Sequence, residues 1–233
     1  MGIKVKICGI TNLEDAELAL SLGADELGFV LAPSPRRVEP ETARDILLAL
    51  RSRAGAPAFR AIGVFVNEGV DAMREIITFA GLDAAQIHGD EPPSACSALP
   101  FPWYRALRIA SVADAHSLVE AGWNCQRILV DAGSGASYGG SGVSIGTWAA
   151  LAAGALARDR GQEFFVAGGV RPRNAASFVH SLRPEGLDVS SGVEEAPGKK
   201  SRGKLEALFR AIREAEGHAA EGRASKEARG EAR

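Results

Sequence analysis

Short runs crowded with Val, Ile, Leu and Phe recur along the chain, each followed by a longer stretch whose apolar positions fall three or four residues apart. The runs predict strands at Ile3–Cys8, Glu26–Leu31, Arg60–Val66, Ala84–Ile87, Trp103–Arg108, Arg127–Asp131, Glu163–Ala167 and Gly186–Ser190. The stretches between them predict helices, among them Leu13–Leu22, Pro40–Arg51, Val70–Gly81 and Ala113–Ala121. Thr11 or Asn12 can cap the first helix, with Glu14 and Asp15 in its opening turn, and Gly23 suits its left-handed exit. Strands alternating with helices imply parallel pairing through βαβ crossovers. Eight such units at this length predict an α/β fold, a single-domain (β/α)8 TIM barrel; a doubly wound open sheet is the alternative.

No low-complexity linker interrupts the alternation, so the expected catalytic domain is one unit, residues 1–213. The remaining 214–233 hold no apolar side chain larger than Ala. Such a tail cannot offset an ordering cost of roughly 1–2 kcal/mol per residue, and is expected to be frayed, weakly helical or disordered.

Composition narrows the partners. Among 233 residues, 27 Lys+Arg nearly balance 29 Asp+Glu, leaving a net charge of −2 and no basic footprint for nucleic acid or an anionic membrane surface. No apolar run is long enough to cross a bilayer, and Met1–Lys6 lacks the order of a signal peptide. Cys8, Cys96 and Cys125 have neither a disulfide framework nor metal-ligand spacing, which points to a reducing, cytoplasmic setting.

In a parallel barrel the reactive side chains sit at strand C-terminal ends. Alternation puts Lys4, Lys6 and Cys8 on one face of the first strand and Val5 and Ile7 on the other. With the apolar pair against the helices, Cys8 points inward at the mouth, where a thiol can act as nucleophile or base. Lys6 then lies deeper and needs a partner, which Asp188 of the last strand can supply as a structural ion pair. The sixth strand ends in Asp131, followed by the glycine-rich run 132–142. Such a run can cover a site and bring the backbone of Gly140 and Gly142 near an anion.

Strand seven ends in Gly168-Gly169 and strand eight in Ser190-Ser191-Gly192, the two places where such barrels often hold a phosphate. Arg36 and Arg37 follow the second strand in a proline-stiffened loop; one suits recognition of a carboxylate or phosphate, the other a solvated charge. Gln86 and His88 share a face and suggest a polar lining of the mouth.

Together these segments resemble phosphoribosylanthranilate isomerases over roughly residues 3–213. The likeness rests on Lys6-Ile7-Cys8-Gly9-Ile10-Thr11, Gly23-Ala24-Asp25 with Gly28-Phe29-Val30, Ser34-Pro35-Arg36, Gly63-Val64-Phe65-Val66-Asn67 and Gln86-Ile87-His88-Gly89. It continues through Asp131 with Gly139-Gly140-Ser141-Gly142, Ala167-Gly168-Gly169, Asp188 to Glu194, and Pro197-Gly198-Lys199-Lys200. The resemblance implies a cofactor-free Amadori rearrangement of N-(5′-phosphoribosyl)anthranilate to 1-(2-carboxyphenylamino)-1-deoxyribulose 5-phosphate in tryptophan biosynthesis. It makes Cys8 the general base and Asp131 the general acid, gives Arg36 the anthranilate carboxylate, and gives Gly168-Gly169 and Ser190-Ser191-Gly192 the phosphate. These roles call for a protonated Asp131 beneath the glycine-rich loop and a Cys8 thiol shifted down by Arg36 or by the reacting iminium.

Two stretches depart from the family. Val143-Ser144-Ile145-Gly146-Thr147-Trp148 stands where relatives usually carry Thr-Phe-Asp-Trp, and Ser201 follows Lys199-Lys200 where Asp is usual. Other readings of the scaffold are another phosphoribosyl-ligand barrel enzyme and a catalytically silent phosphometabolite-binding barrel. The first would want paired aspartates or a strand-end lysine, and the second has no use for Cys8 together with Asp131. Monomer and homodimer both stand.

Overall fold

A computed structural model describes residues 2–55, 57–97, 99–109, 111–131 and 145–230. The first half of the fold is β1 (Lys4–Cys8), α1 (Leu13–Leu22), β2 (Glu26–Val30), α2 (Pro40–Arg51), β3 (Arg60–Phe65), α3 (Val70–Ala80), β4 (Ala84–Ile87) and the single-turn α4 (Pro93–Cys96). The second half is β5 (Trp103–Arg108), α5 (Val112–Glu120), β6 (Arg127–Asp131), α6 (Ile145–Asp159), β7 (Glu163–Ala167), α7 (Pro172–Leu182) and β8 (Gly186–Val189). A short 3₁₀ turn (Ser191–Val193), a hairpin of β9 (Glu194–Ala196) and β10 (Lys199–Lys200), and α8 (Arg202–Gly230) complete the chain.

The strands close in sequence order, β1 to β8, with β8 returning to pair with β1. This is the (β/α)8 barrel, and closure excludes the open sheet. Local chemistry explains the joints. Asn12 caps α1 by accepting from the Asp15 N–H at 2.8 Å, and Gly23 ends it at φ 108°.

Alternation divides the buried side chains into two sets. Val5, Ile7, Leu27, Phe29, Ile87, Ile128, Val130, Phe164 and Leu187 face outward and pack under the helices. Ile62, Ala84, Tyr104, Ala106, Leu129, Phe165 and Ala167 form a separate apolar cluster inside the barrel. At the strand N-terminal end, residues that open their strands form an ionic plug. Buried Arg127 donates two 2.8 Å bonds to Glu26 and bonds of 2.9 and 2.8 Å to Glu163. Its guanidinium lies 3.7 Å from the Phe165 ring centre. Lys4 reaches Glu163 from the rim. A cavity of about 320 Å³ at this end is lined in part by Trp103, Cys125 and Arg127, which places the Cys125 thiol on the opposite face from Cys8.

α8 runs on through Gly230, past the boundary at 213 expected from composition. The pattern of Leu205, Leu208, Phe209, Ile212 and Ala215, all buried, carries the packed face two residues beyond that boundary. Glu216 then accepts from the Ile3 N–H at 2.5 Å. Among the described residues, no helix is long and apolar enough to cross a membrane.

Candidate active site

Toward the strand C-terminal ends the barrel interior turns polar. Lys6, with no exposed surface, donates to Asp188 at 2.9 Å and to Gln86 Oε1 at 2.8 Å. Lys6 and Asp188 are register partners across β1 and β8, the ion pair expected from alternation. Tyr104 donates its hydroxyl to the same Gln86 oxygen at 2.9 Å. Burial alone pushes the Lys6 ammonium down, but the Asp188 carboxylate outweighs it and the group ends well above the ordinary lysine value. Asp188 Oδ1 has no hydrogen-bond partner in this tier.

Cys8 sits one step higher on the same strand and is buried at the mouth. Its neighbour in register is Gly28, and a methyl group there would lie 2.8 Å from Cys8 Sγ and 3.0 Å from Lys6 Cε. Glycine at 28 is therefore what makes room for both side chains. Contrary to the downward shift expected from Arg36, burial pushes the Cys8 thiol up; the ammoniums of Lys6 and Lys200 oppose this without reversing it. Arg36 meanwhile is engaged by Glu194, with Nε 2.9 Å from Oε1 and Nη2 2.7 Å from Oε2.

Asp131 ends β6, three strands from β1 around the wall, and its carboxylate lies 3.9 Å from His88 Nε2. Gln86 Nε2 meets His88 Nδ1 at 3.3 Å, so the two expected lining residues do touch. Burial lowers the His88 pKa, with Asp131 pulling the other way, and among the described residues His88 Nε2 has no hydrogen-bond partner. Cys8 and Asp131 are thus joined by a polar chain through Lys6, Gln86 and His88. The run 132–142, with Gly140 and Gly142, lies outside the described residues.

The loops after β7 and β8 press together. Gly168 and Gly169 take φ 86° and 72°, and any side chain at Gly192 would strike the Val170 carbonyl oxygen at 1.8 Å. Among the described residues, the Gly168 and Gly169 N–H groups donate to no backbone or side-chain acceptor. Ser190 borders the same rim: its hydroxyl and Arg36 Cδ lie 3.1 and 2.7 Å from the point where Gly9 would carry a side chain. Ser191 and Gly192 form the 3₁₀ turn that follows. Arg37, by contrast, is exposed and pairs with Glu39 at 3.3 Å.

Sequence reasoning passed over Glu194, Lys200 and Gly28. Glu194 and Lys200 entered only as parts of the family likeness, without a role at the mouth, although a carboxylate with two lysines a few residues on is a signal for a hairpin ion pair.

The N-(5′-phosphoribosyl)anthranilate (PRA) isomerase family matches residues 5–211. N-(5′-phosphoribosyl)anthranilate isomerase of Pelobacter propionicus is 41% identical over 213 residues, covering 91% of this chain and 96% of that protein. The crystal structure of phosphoribosyl anthranilate isomerase from Thermotoga maritima superposes with a TM-score of 0.77 at 34% identity, covering 91% of this chain and 98% of that one. A phosphoribosyl anthranilate isomerase in complex with reduced 1-(o-carboxyphenylamino)-1-deoxyribulose 5-phosphate superposes with a TM-score of 0.74 at 31% identity, over 91% and 98% of the two chains. With the match running from the first barrel strand into the last helix, the chain belongs to the N-(5′-phosphoribosyl)anthranilate isomerase family.

Proposed function

We infer that this chain is an isomerase converting N-(5′-phosphoribosyl)anthranilate to 1-(2-carboxyphenylamino)-1-deoxyribulose 5-phosphate in tryptophan biosynthesis. Family membership over the whole barrel carries this reading. The residue roles are those the resemblance implies, and the mouth supports them by bringing Cys8, Arg36, His88 and Asp131 to the same end of the barrel. Asp131 delivers a proton to the ribose ring oxygen, and the anthranilate nitrogen drives ring opening to an iminium. Cys8 removes the C2′ proton as thiolate, giving an enolamine. The 2′-hydroxyl proton leaves and C1′ gains one, so the ketone forms and both groups return to their starting states. Each contributes about 10²–10⁴-fold. The buried thiol is held up in the free protein, and the cationic iminium, together with Lys6 and Lys200, supplies the positive charge that favours the thiolate.

Arg36 takes the anthranilate carboxylate. Gly168 and Gly169 offer uncommitted N–H groups to the phosphate, with Ser190, Ser191 and Gly192 on the facing loop. Gln86 and His88 line the sugar's side of the mouth, and Gly140 and Gly142 are assigned to the ligand from sequence alone. The barrel through about residue 213 is the catalytic unit, acting in the cytoplasm, a setting that suits the three free thiols.

The test is loss of the fluorescence of phosphoribosylanthranilate on adding purified protein. No rate above spontaneous decay overturns the activity. Cys8→Ala and Asp131→Asn variants that each turn over within a few-fold of the parent overturn the assigned pair.

A further inference from the structure

Arg36 is held in an unusual way for a ligand-binding arginine at a mouth. Its Nε–H and one Nη2–H are fully engaged by Glu194, at 2.9, 3.0 and 2.7 Å. Among the described residues Nη1 has no hydrogen-bond partner, so the end-on Nη1/Nη2 fork still faces outward and can grip a second carboxylate bidentately. Glu194 is itself buried: its side chain is 4% exposed, against 23% for Arg36 and none for Lys200.

The carboxylate does not belong to Arg36 alone. Lys200 Nζ donates to Glu194 Oε1 at 2.9 Å and to the Cys8 carbonyl oxygen at 2.6 Å. The β9–β10 hairpin makes this possible by bringing residues 194 and 200 into register. Its turn is tied to the strand-one loop through Thr11, whose hydroxyl donates to Gly198 O at 2.5 Å. Two cations share one anion, so the cluster keeps a net positive charge. Burial raises the Glu194 carboxyl, but Arg36 and Lys200 outweigh it and hold the group below the usual range, so it stays ionised at neutral pH.

We propose that Glu194 and Lys200 are positioning residues for the reaction: Glu194 aims Arg36, and Lys200 locks that carboxylate to the Cys8 backbone. The carboxylate contact and the base are thereby set by one strut. Lys200 also prevents Glu194 from neutralising Arg36, which would blunt its attraction for an anion. This inference rests on the roles given above to Arg36 and Cys8.

A double-mutant cycle tests it, using phosphoribosylanthranilate as substrate. A carboxylate held equally in ground and transition states affects KM more than kcat. Glu194→Gln is expected to raise KM about tenfold with kcat falling less than about threefold. Because Glu194 acts through Arg36, the Arg36→Ala/Glu194→Gln double variant is expected to match Arg36→Ala alone. Lys200→Met is expected to raise KM in the parent and not to raise it further in the Arg36→Ala background, while lowering kcat in both because the Cys8 backbone contact is lost.

Multiplying effects in the double variant, or an unchanged KM for Glu194→Gln beside a raised KM for Arg36→Ala, overturn the strut. An unchanged KM for Arg36→Ala overturns instead the carboxylate role on which it rests. Should Glu194→Gln fail to fold, the Lys200→Met cycle decides by the same criterion.

Discussion

Gly28→Ala isolates the placement of the thiol. The added methyl would stand 2.8 Å from Cys8 Sγ, 3.0 Å from Cys8 Cα and 3.0 Å from Lys6 Cε. Comfortable contacts run to about 3.5–4.0 Å, so the thiol or its backbone has to retreat by nearly 1 Å. Overpacking of this kind costs about 1–3 kcal/mol, read as a fall in thermal midpoint of roughly 2–4 °C per kcal/mol for a domain of this size. A displacement near 1 Å at a reacting group can lower turnover about 10²-fold, so kcat is expected to fall much further than stability alone explains. Gly63→Ala is the control: its methyl would lie 2.8 Å from the Phe65 ring and 2.9 Å from Leu82 on the helix-facing side. It is expected to cost comparable stability with kcat kept within about threefold, since nothing reactive is displaced. Both variants are compared at saturating substrate, below their unfolding transitions. If Gly28→Ala lowers the midpoint yet keeps parental kcat, the position of the Cys8 thiol does not limit the reaction.

Three further outcomes follow from the charged groups. Arg127→Met leaves the buried Glu26 carboxylate only the longer Arg60 contact at 3.7 Å and is expected to cost about 3–5 kcal/mol in urea unfolding, with kcat per folded molecule unchanged because the plug is at the far end of the barrel; a loss under about 1 kcal/mol contradicts the pairing. Glu194, held below the ordinary carboxylate range of about 4.3, contributes stability that is present above that value and is lost as pH falls through its lower folded value. Glu194→Gln is therefore expected to be less stable than the parent at pH near 7 and to converge with it on acidification; a constant gap contradicts the assignment. Alkylation of Cys8, followed by mass spectrometry of its peptide, is expected to titrate with a midpoint above the ordinary thiol value of about 8.5, because burial favours the neutral form; a midpoint below about 8 refutes that direction.

Much of the barrel was readable because its strands obey a period of two and its helices a period near 3.6. The strand limits expected from apolar runs differ from the observed ones by a residue at most, as in Ile3–Cys8 against Lys4–Cys8. The Lys6–Asp188 pair was readable for the same reason: alternation puts an ammonium inside, and a buried charge demands a partner. What alternation cannot convey is contact between distant segments. Nothing local in residues 194–200 indicates that they fold back on the loop after β1, so the Glu194 grip on Arg36 went unseen. The upward shift of Cys8 in the free protein was not readable for a related reason, since it depends on how completely the thiol is buried. The length of the last helix depends on a face that continues past an abrupt change of composition, to Ala215.

The apolar cluster that includes Ile62, Ala84, Leu129 and Phe165 shares the barrel interior with Lys6, Gln86 and Asp188 and is separate from their hydrogen bonds. It acts as an insulator. Among the described residues no hydrogen bond links Lys6, Gln86, Tyr104 or Asp188 to the Arg127–Glu26–Glu163 group, so exchange of their protons with the bulk is expected to run through the mouth. A ligand seated there stops that exchange, and the number of protons in the site is then fixed until the ligand leaves. An isomerisation suits such a closed vessel, because it ends with as many protons as it began, and an isotope carried in on carbon can be handed back before it is diluted by water.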